Sequence, residues 1–212
     1  MDFLRSRAIS GAVSLLCGML APHAADAETT AAAAADQAAQ KIAGSVCSGC
    51  HGPTGISTSP LFPRLAGQQE AYLVAQLKAF KTKTRGEQDA HDYMWGMATL
   101  LEDPVIEGMA RYYAAQKPAP GVPGNAKLIE RGKVLFEKGD PARPVVACSS
   151  CHGGHAEGAS IFPRLAGQHA AYIRRQLEAI QKRFRASPVM HGVIVDLNSQ
   201  DMAAVAEYVQ SL

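Results

Sequence analysis

Two short runs of this chain hold residue types whose spacing points to one chemistry: Cys47-Ser48-Gly49-Cys50-His51 and Cys148-Ser149-Ser150-Cys151-His152. Thiols three residues apart lie on one side of a helical turn. There both can form thioethers with the vinyl groups of one porphyrin, and the histidine that follows can reach the iron as an axial ligand. A structural zinc site would have to join two cysteine pairs 101 residues apart. A redox dithiol needs neither the histidine nor the second copy. The motifs therefore predict two covalently attached haem c groups, held by Cys47, Cys50 and His51 and by Cys148, Cys151 and His152.

The fifth cysteine, Cys17, falls in a leader. Arg5 and Arg7 precede the short apolar stretch Ala8 to Leu20, and Ala25-Asp26-Ala27 has the small-x-small form of a cleavage signal. Residues 1–27 are expected to be a signal peptide. The apolar stretch is too short to span a bilayer, and no later segment is long and apolar enough to do so. Cys17 as a lipid anchor is disfavoured by the bulky Leu16 before it. Export to the periplasm fits covalent haem attachment, which bacteria carry out outside the cytoplasmic membrane. Cleavage leaves no cysteine for a disulfide. Residues 28–212 suffice for two small domains, each with a thin core that a large apolar cofactor would reinforce.

The chain repeats itself. Phe62-Pro63-Arg64-Leu65-Ala66-Gly67-Gln68 recurs as Phe162-Pro163-Arg164-Leu165-Ala166-Gly167-Gln168, and Tyr72, Gln76 and Leu77 recur as Tyr172, Gln176 and Leu177, all at an offset of 100. Further on the offset is 96, matching Leu101 with Leu197 and Tyr112 with Tyr208, so the second copy has lost four residues. In each copy a helix precedes the motif, Ala31 to Gly44 and Ala126 to Phe136, with Glu28 to Ala34 expected to fray. Helices follow at Glu70 to Lys81 and Ala170 to Arg183, where apolar residues fall at helical spacing. Last helices follow at Asp103 to Gln116, with Pro104 in the first turn, and at Ser199 to Ser211, with Ser199 as N-cap. The expected fold is all-α: two haem-centred domains, 28–118 and 126–212, joined by a Pro/Gly-rich linker at 119–125.

The second axial ligand is read from the same duplication. His91, His155, His169 and His191 have no histidine counterparts, His91 being matched with Ser187. Met97, Met109 and Met202 match Val193, Val205 and Ile106, as interchangeable core positions would. Only Met94 and Met190 are kept in both copies, which favours His51/Met94 and His152/Met190 over bis-histidine or open coordination. The carbonyls of Pro63 and Pro163 are candidate acceptors for the motif histidines. Arg64 and Arg164 are either propionate partners or solvated charges.

Two CxxCH segments, FPRLAGQ after each, and a methionine before a last helix carrying tyrosine resemble the cytochrome c4 family; "FPRLAGQHAAYIRRQL" at 162–177 is particularly close. The resemblance implies two class I cytochrome c-like domains facing each other about a pseudo-twofold axis, with His/Met ligation through Met94 and Met190. It implies a periplasmic electron carrier between respiratory redox partners, for example toward a terminal oxidase, and no enzyme. Alternatives are a haem subunit of a periplasmic dehydrogenase complex, or a dihaem enzyme such as a peroxidase or thiosulfate dehydrogenase. The expected partners are a redox donor and acceptor, with peripheral membrane association left open. Nucleic acid is not expected, since the basic residues are not interleaved with a reading element. Residues 28–120 carry 8 basic and 9 acidic side chains and residues 121–212 carry 11 and 8. Arg174, Arg175, Lys182, Arg183 and Arg185 form a cluster that is either a solvated helix face or a steering patch for an acidic partner.

Overall fold

The computed structural model describes residues 24–212, so nearly all of the expected leader, residues 1–27, lies outside the described residues. Among the described residues the regular structure is helical, and extended pairing is confined to isolated bridges. Helix α1 (Ala24–Ile42) runs through a π-helical turn, Ala43–Cys47, directly into α2 (Ser48–His51). The segment expected to fray is thus helical, since alanine loses no side-chain freedom in a helix. The first half continues with α3 (Glu70–Lys81), a π-turn at Ala90–Met94, α4 (Trp95–Thr99) and α5 (Asp103–Ala114). The second half holds α6 (Ala126–Lys138), α7 (Ser149–His152), α8 (Ala170–Gln181), α9 (Pro188–Ile194) and α10 (Ser199–Gln210).

The halves start differently. In the second, α6 is capped by the Asn125 side chain, which accepts from the amides of Lys127 and Leu128. It ends at Gly139, whose φ of 70° suits a residue without Cβ. A turn closed by Asp140 N–H donating to the Val145 carbonyl then separates helix from motif. The N-cap of α10 is Asn198, not Ser199: its side chain accepts from the Asp201 amide. Beneath it, Asp201 is buried, and burial alone would raise its pKa. Arg143 and Arg131 hold it below the ordinary value instead.

Each half closes by crossing its first helix with its last, and each crossing needs a small residue. In the first, Ala39 on α1 meets Gly108 on α5. In the second the glycine has moved to the other helix: Gly132 on α6 lies against the Ala204 carbonyl of α10. Around the second crossing Leu135, Phe136, Ile173, Met202, Val205 and Val209 form one core. The first half is poorer in large side chains and splits into clusters around Ala39, Leu73, Met109 and Tyr113 and around Phe80, Ala90 and Ala98. Residues 117–125 run without helix and are strapped to the second half by Val122 N–H donating to the Gln210 carbonyl.

A methyl group at residue 132 would sit 2.0 Å from the Ala204 carbonyl oxygen. Gly132→Ala should therefore cost about 1–3 kcal/mol in denaturant unfolding. Gly44→Ala, where nothing lies within 4 Å, should be neutral or slightly stabilising.

Candidate haem sites

The two motif histidines are buried and held alike. His51 Nδ1–H donates to the Pro63 carbonyl at 2.9 Å and His152 Nδ1–H to the Pro163 carbonyl at 3.0 Å. A carbonyl only accepts, so the proton sits on Nδ1 and the Nε2 lone pair is free. Burial lowers both histidine pKa values; the proline carbonyls oppose this without reversing it. Both rings are therefore neutral, as ligation requires, and Phe62 and Phe162 stand edge-on to them. The repeated FPRLAGQ loop places proline and phenylalanine against its own histidine in each half.

The cysteines are free thiols. Burial raises Cys47, with Tyr113 opposing, and pushes Cys148 up to about 11. A redox dithiol is marked by a depressed pKa, and burial moves Cys47 and Cys148 the other way. Cys47, His51 and Met94 share one continuous cavity of about 540 Å³ with Cys148, Cys151, His152 and Met190; Cys50 lies outside it and is exposed. The walls are largely apolar, with Leu65, Leu73 and Phe80 matched by Leu165, Ile173 and Ile180. Two buried donors, Arg64 Nε and Arg164 Nε, have no protein partner, and both arginines line the cavity. An apolar chamber with Cys47, Cys148 and Cys151 on its wall and with one free imidazole nitrogen and one unpaired guanidinium donor per half fits a haem with its propionates. Arg64 and Arg164 are thus not simply solvated charges.

Among the described residues none of His91, His155, His169 and His191 lines this chamber. His91 bonds Asp92 at the surface, and His169 reaches across to Ser57, 2.9 Å from its hydroxyl. Of the thioethers, Met94, Met109 and Met190 line it, and Met109 matches Val205, which lines it too. Met109, Met202, Val205 and Ile106 are buried core as expected. Met97 is not: it is 55% exposed, because α4 turns that face outward.

The chamber is continuous because the halves join through reciprocal bonds. The Gln168 side chain accepts from the Arg64 amide and donates to the Arg64 carbonyl, and Gln68 does the same with Arg164. Below this, Arg85 and Arg185 pair in an isolated bridge, Gly86 N–H donates to the Phe184 carbonyl, and both guanidinium groups reach Gln76 and Gln176. These pairs lie about a pseudo-twofold axis. The offset of 100 thus extends to Arg185, which corrects the matching of His91 with Ser187: Ser187 stands opposite Glu87, and the deletion falls just before Met190. The basic cluster of the second half is also divided. Arg185 is buried in this seam. Arg175 crosses it to Asp89 at 2.9 Å and to the Pro60 and Leu61 carbonyls, leaving Arg174, Lys182 and Arg183 exposed. Sequence spacing held no sign of these crossing partners.

Two helical halves that each pair a CxxCH motif with a histidine-binding proline loop, around one apolar chamber, define a dihaem c-type cytochrome. The family model for cytochrome c matches residues 37–112 and 129–212. A cytochrome c4 from Thiocapsa roseopersicina is 40% identical over 83% of this chain and 92% of its own length. The solved cytochrome c4 of Acidithiobacillus ferrooxidans superposes with a TM-score of 0.75 at 39% identity, over 78% of this chain and 98% of that one. A thiosulfate dehydrogenase electron acceptor from Thiomonas intermedia is 36% identical over 84% of this chain and 83% of its own length. The chain belongs to the cytochrome c4 family, electron carriers with two covalently attached haems.

The reciprocal glutamines make a local prediction. Gln168→Ala should speed hydrogen exchange at the Arg64 amide by roughly tenfold, the scale of one lost hydrogen bond. The Arg164 amide, held by Gln68, should keep its rate.

Proposed function

We propose that this chain shuttles single electrons between redox proteins of a respiratory chain in the periplasm, after cleavage of residues 1–27. His51 and Met94 would hold the first haem iron, and His152 and Met190 the second. Residues 28–118 and 126–212 are the two functional domains. The observation that carries the ligand assignment is the chamber wall: the duplicated methionines are on it, and the spare histidines of the described residues are not. Haem with histidine and thioether ligands supplies a one-electron couple at raised potential. The protein's part is to keep each imidazole neutral and fixed through Pro63 and Pro163, and to pack the methionines on apolar walls so that little rearranges as charge changes. The seam keeps the two sites at a fixed separation. Arg174, Lys182 and Arg183 give the second half a basic face for steering an acidic partner, which makes association slower at high salt.

A second reading has its own support in the resemblance to a thiosulfate dehydrogenase electron acceptor. In that case the donor is a sulfur-oxidising dehydrogenase, and the native protein would be isolated in a stable complex rather than as a free monomer.

Met94→Ala should remove about half of the weak methionine-to-iron charge-transfer band of the oxidised protein and let carbon monoxide bind one of the two reduced haems. Its potential should fall while the other holds. An unchanged band, with both haems closed to carbon monoxide, would reject Met94 as a ligand.

A further inference from the structure

The seam is symmetric in its cations and amides but not in its acids. Arg85 and Arg185, Gln76 and Gln176, and Arg64 and Arg164 occupy matched places. Glu87 has no acidic match: Ser187 stands in its place. Its side chain is 7% exposed, and one carboxylate oxygen accepts from Arg85 Nε at 2.8 Å. The other oxygen, Oε2, is buried with no partner, and the residue lines the chamber. Asp89, the neighbouring acid, is neutralised across the seam by Arg175.

Glu87 belongs to the wall of the first site. The Arg85 guanidinium that holds it lies over the Phe80 ring, 4.3 Å from its centroid, and the Arg85 carbonyl accepts from Trp95 Nε1 at 2.8 Å. Met94 and Trp95 both pack against the cluster of Phe80, Ala90 and Ala98. The matching wall of the second site, Arg185 to Met190, holds no carboxylate. Glu87 offsets the Arg85 cation, whereas Arg185 bonds Gln176, Tyr72 and Gln76 and no carboxylate, so the wall of the second site is one charge more positive. A positive charge disfavours the oxidised, more positive centre nearest to it, and low local polarisability carries the effect further than in water.

We propose that Glu87 is a positioning residue of the first site that lowers the potential of the first haem more than that of the second. This rests on the dihaem carrier reading above. The test is a spectroelectrochemical titration of the full holoprotein. The haems are told apart by their haem-methyl proton signals, assigned through contacts with Phe80 and Ile180. Glu87→Gln keeps an acceptor for Arg85 and removes one unit of charge. At a separation on the order of 10 Å and an effective dielectric constant of about 20, the reduced-to-oxidised ratio of the first haem at fixed potential should rise about tenfold. That is about 59 mV for a one-electron couple. The second haem should shift by less than half as much. Ser187→Glu should lower the second haem by a similar factor. Equal shifts at both haems, or none, in either variant would overturn the assignment of Glu87. A wild-type protein without two one-electron steps would instead overturn the carrier reading itself.

Discussion

Everything in this structure depends on a buried imidazole whose Nδ1 proton is taken by a proline carbonyl. That bond at 2.9–3.0 Å fixes tautomer, ring orientation and neutrality together, and it occurs twice. A solvated histidine would exchange tautomers and carry a proton for part of the time near neutral pH. Here burial and the carbonyl leave one nitrogen as a permanent acceptor facing the chamber. The glycine and proline content of the FPRLAGQ loop serves this placement, since the loop must turn back from the motif to present its carbonyl.

The second constraint is that two small halves must share one chamber. Neither half has a large core, and the first is divided into separate clusters. What the halves lack in apolar packing is supplied by a covalently bound, largely apolar cofactor and by a seam of directional bonds. Buried arginines in such a seam are costly unless fully partnered. Arg85 and Arg185 meet this by sharing Gln76 and Gln176, with Tyr72 and Glu87 as further acceptors. The result is a joint with definite geometry, which an electron carrier with two centres needs more than it needs extra stability.

Much of this was legible in the chain because duplication turns one sequence into an alignment of two. The motif cysteines and histidines and the proline acceptors could be read by asking which residues recur, and the same question singled out Met94 and Met190, which the fold brings to the chamber wall. The helices were legible to within a few residues from periodicity. What escaped was whatever the copies do not share or what depends on the other half. Met97 was misread because an apolar residue matched to valine need not face inward. Arg175 and Arg185 looked like surface charge because their partners, Asp89 and Gln76, lie more than 80 residues away. The first motif's direct continuation from α1 was hidden because Gly44 reads as a helix end, yet it sits inside the π-helical turn and breaks nothing, whereas Gly139 ends α6.

The central claim is that each iron is closed on one side by imidazole and on the other by a methionine sulfur. Proton magnetic resonance of the fully reduced protein tests it most directly, because a methionine bound to haem iron is shifted far outside the ordinary range by the ring current. The account predicts two such sets of methionine signals, one from each half, and the loss of one of them in each single-methionine variant at Met94 and Met190. One set, or none, from a protein that carries both haems would contradict it.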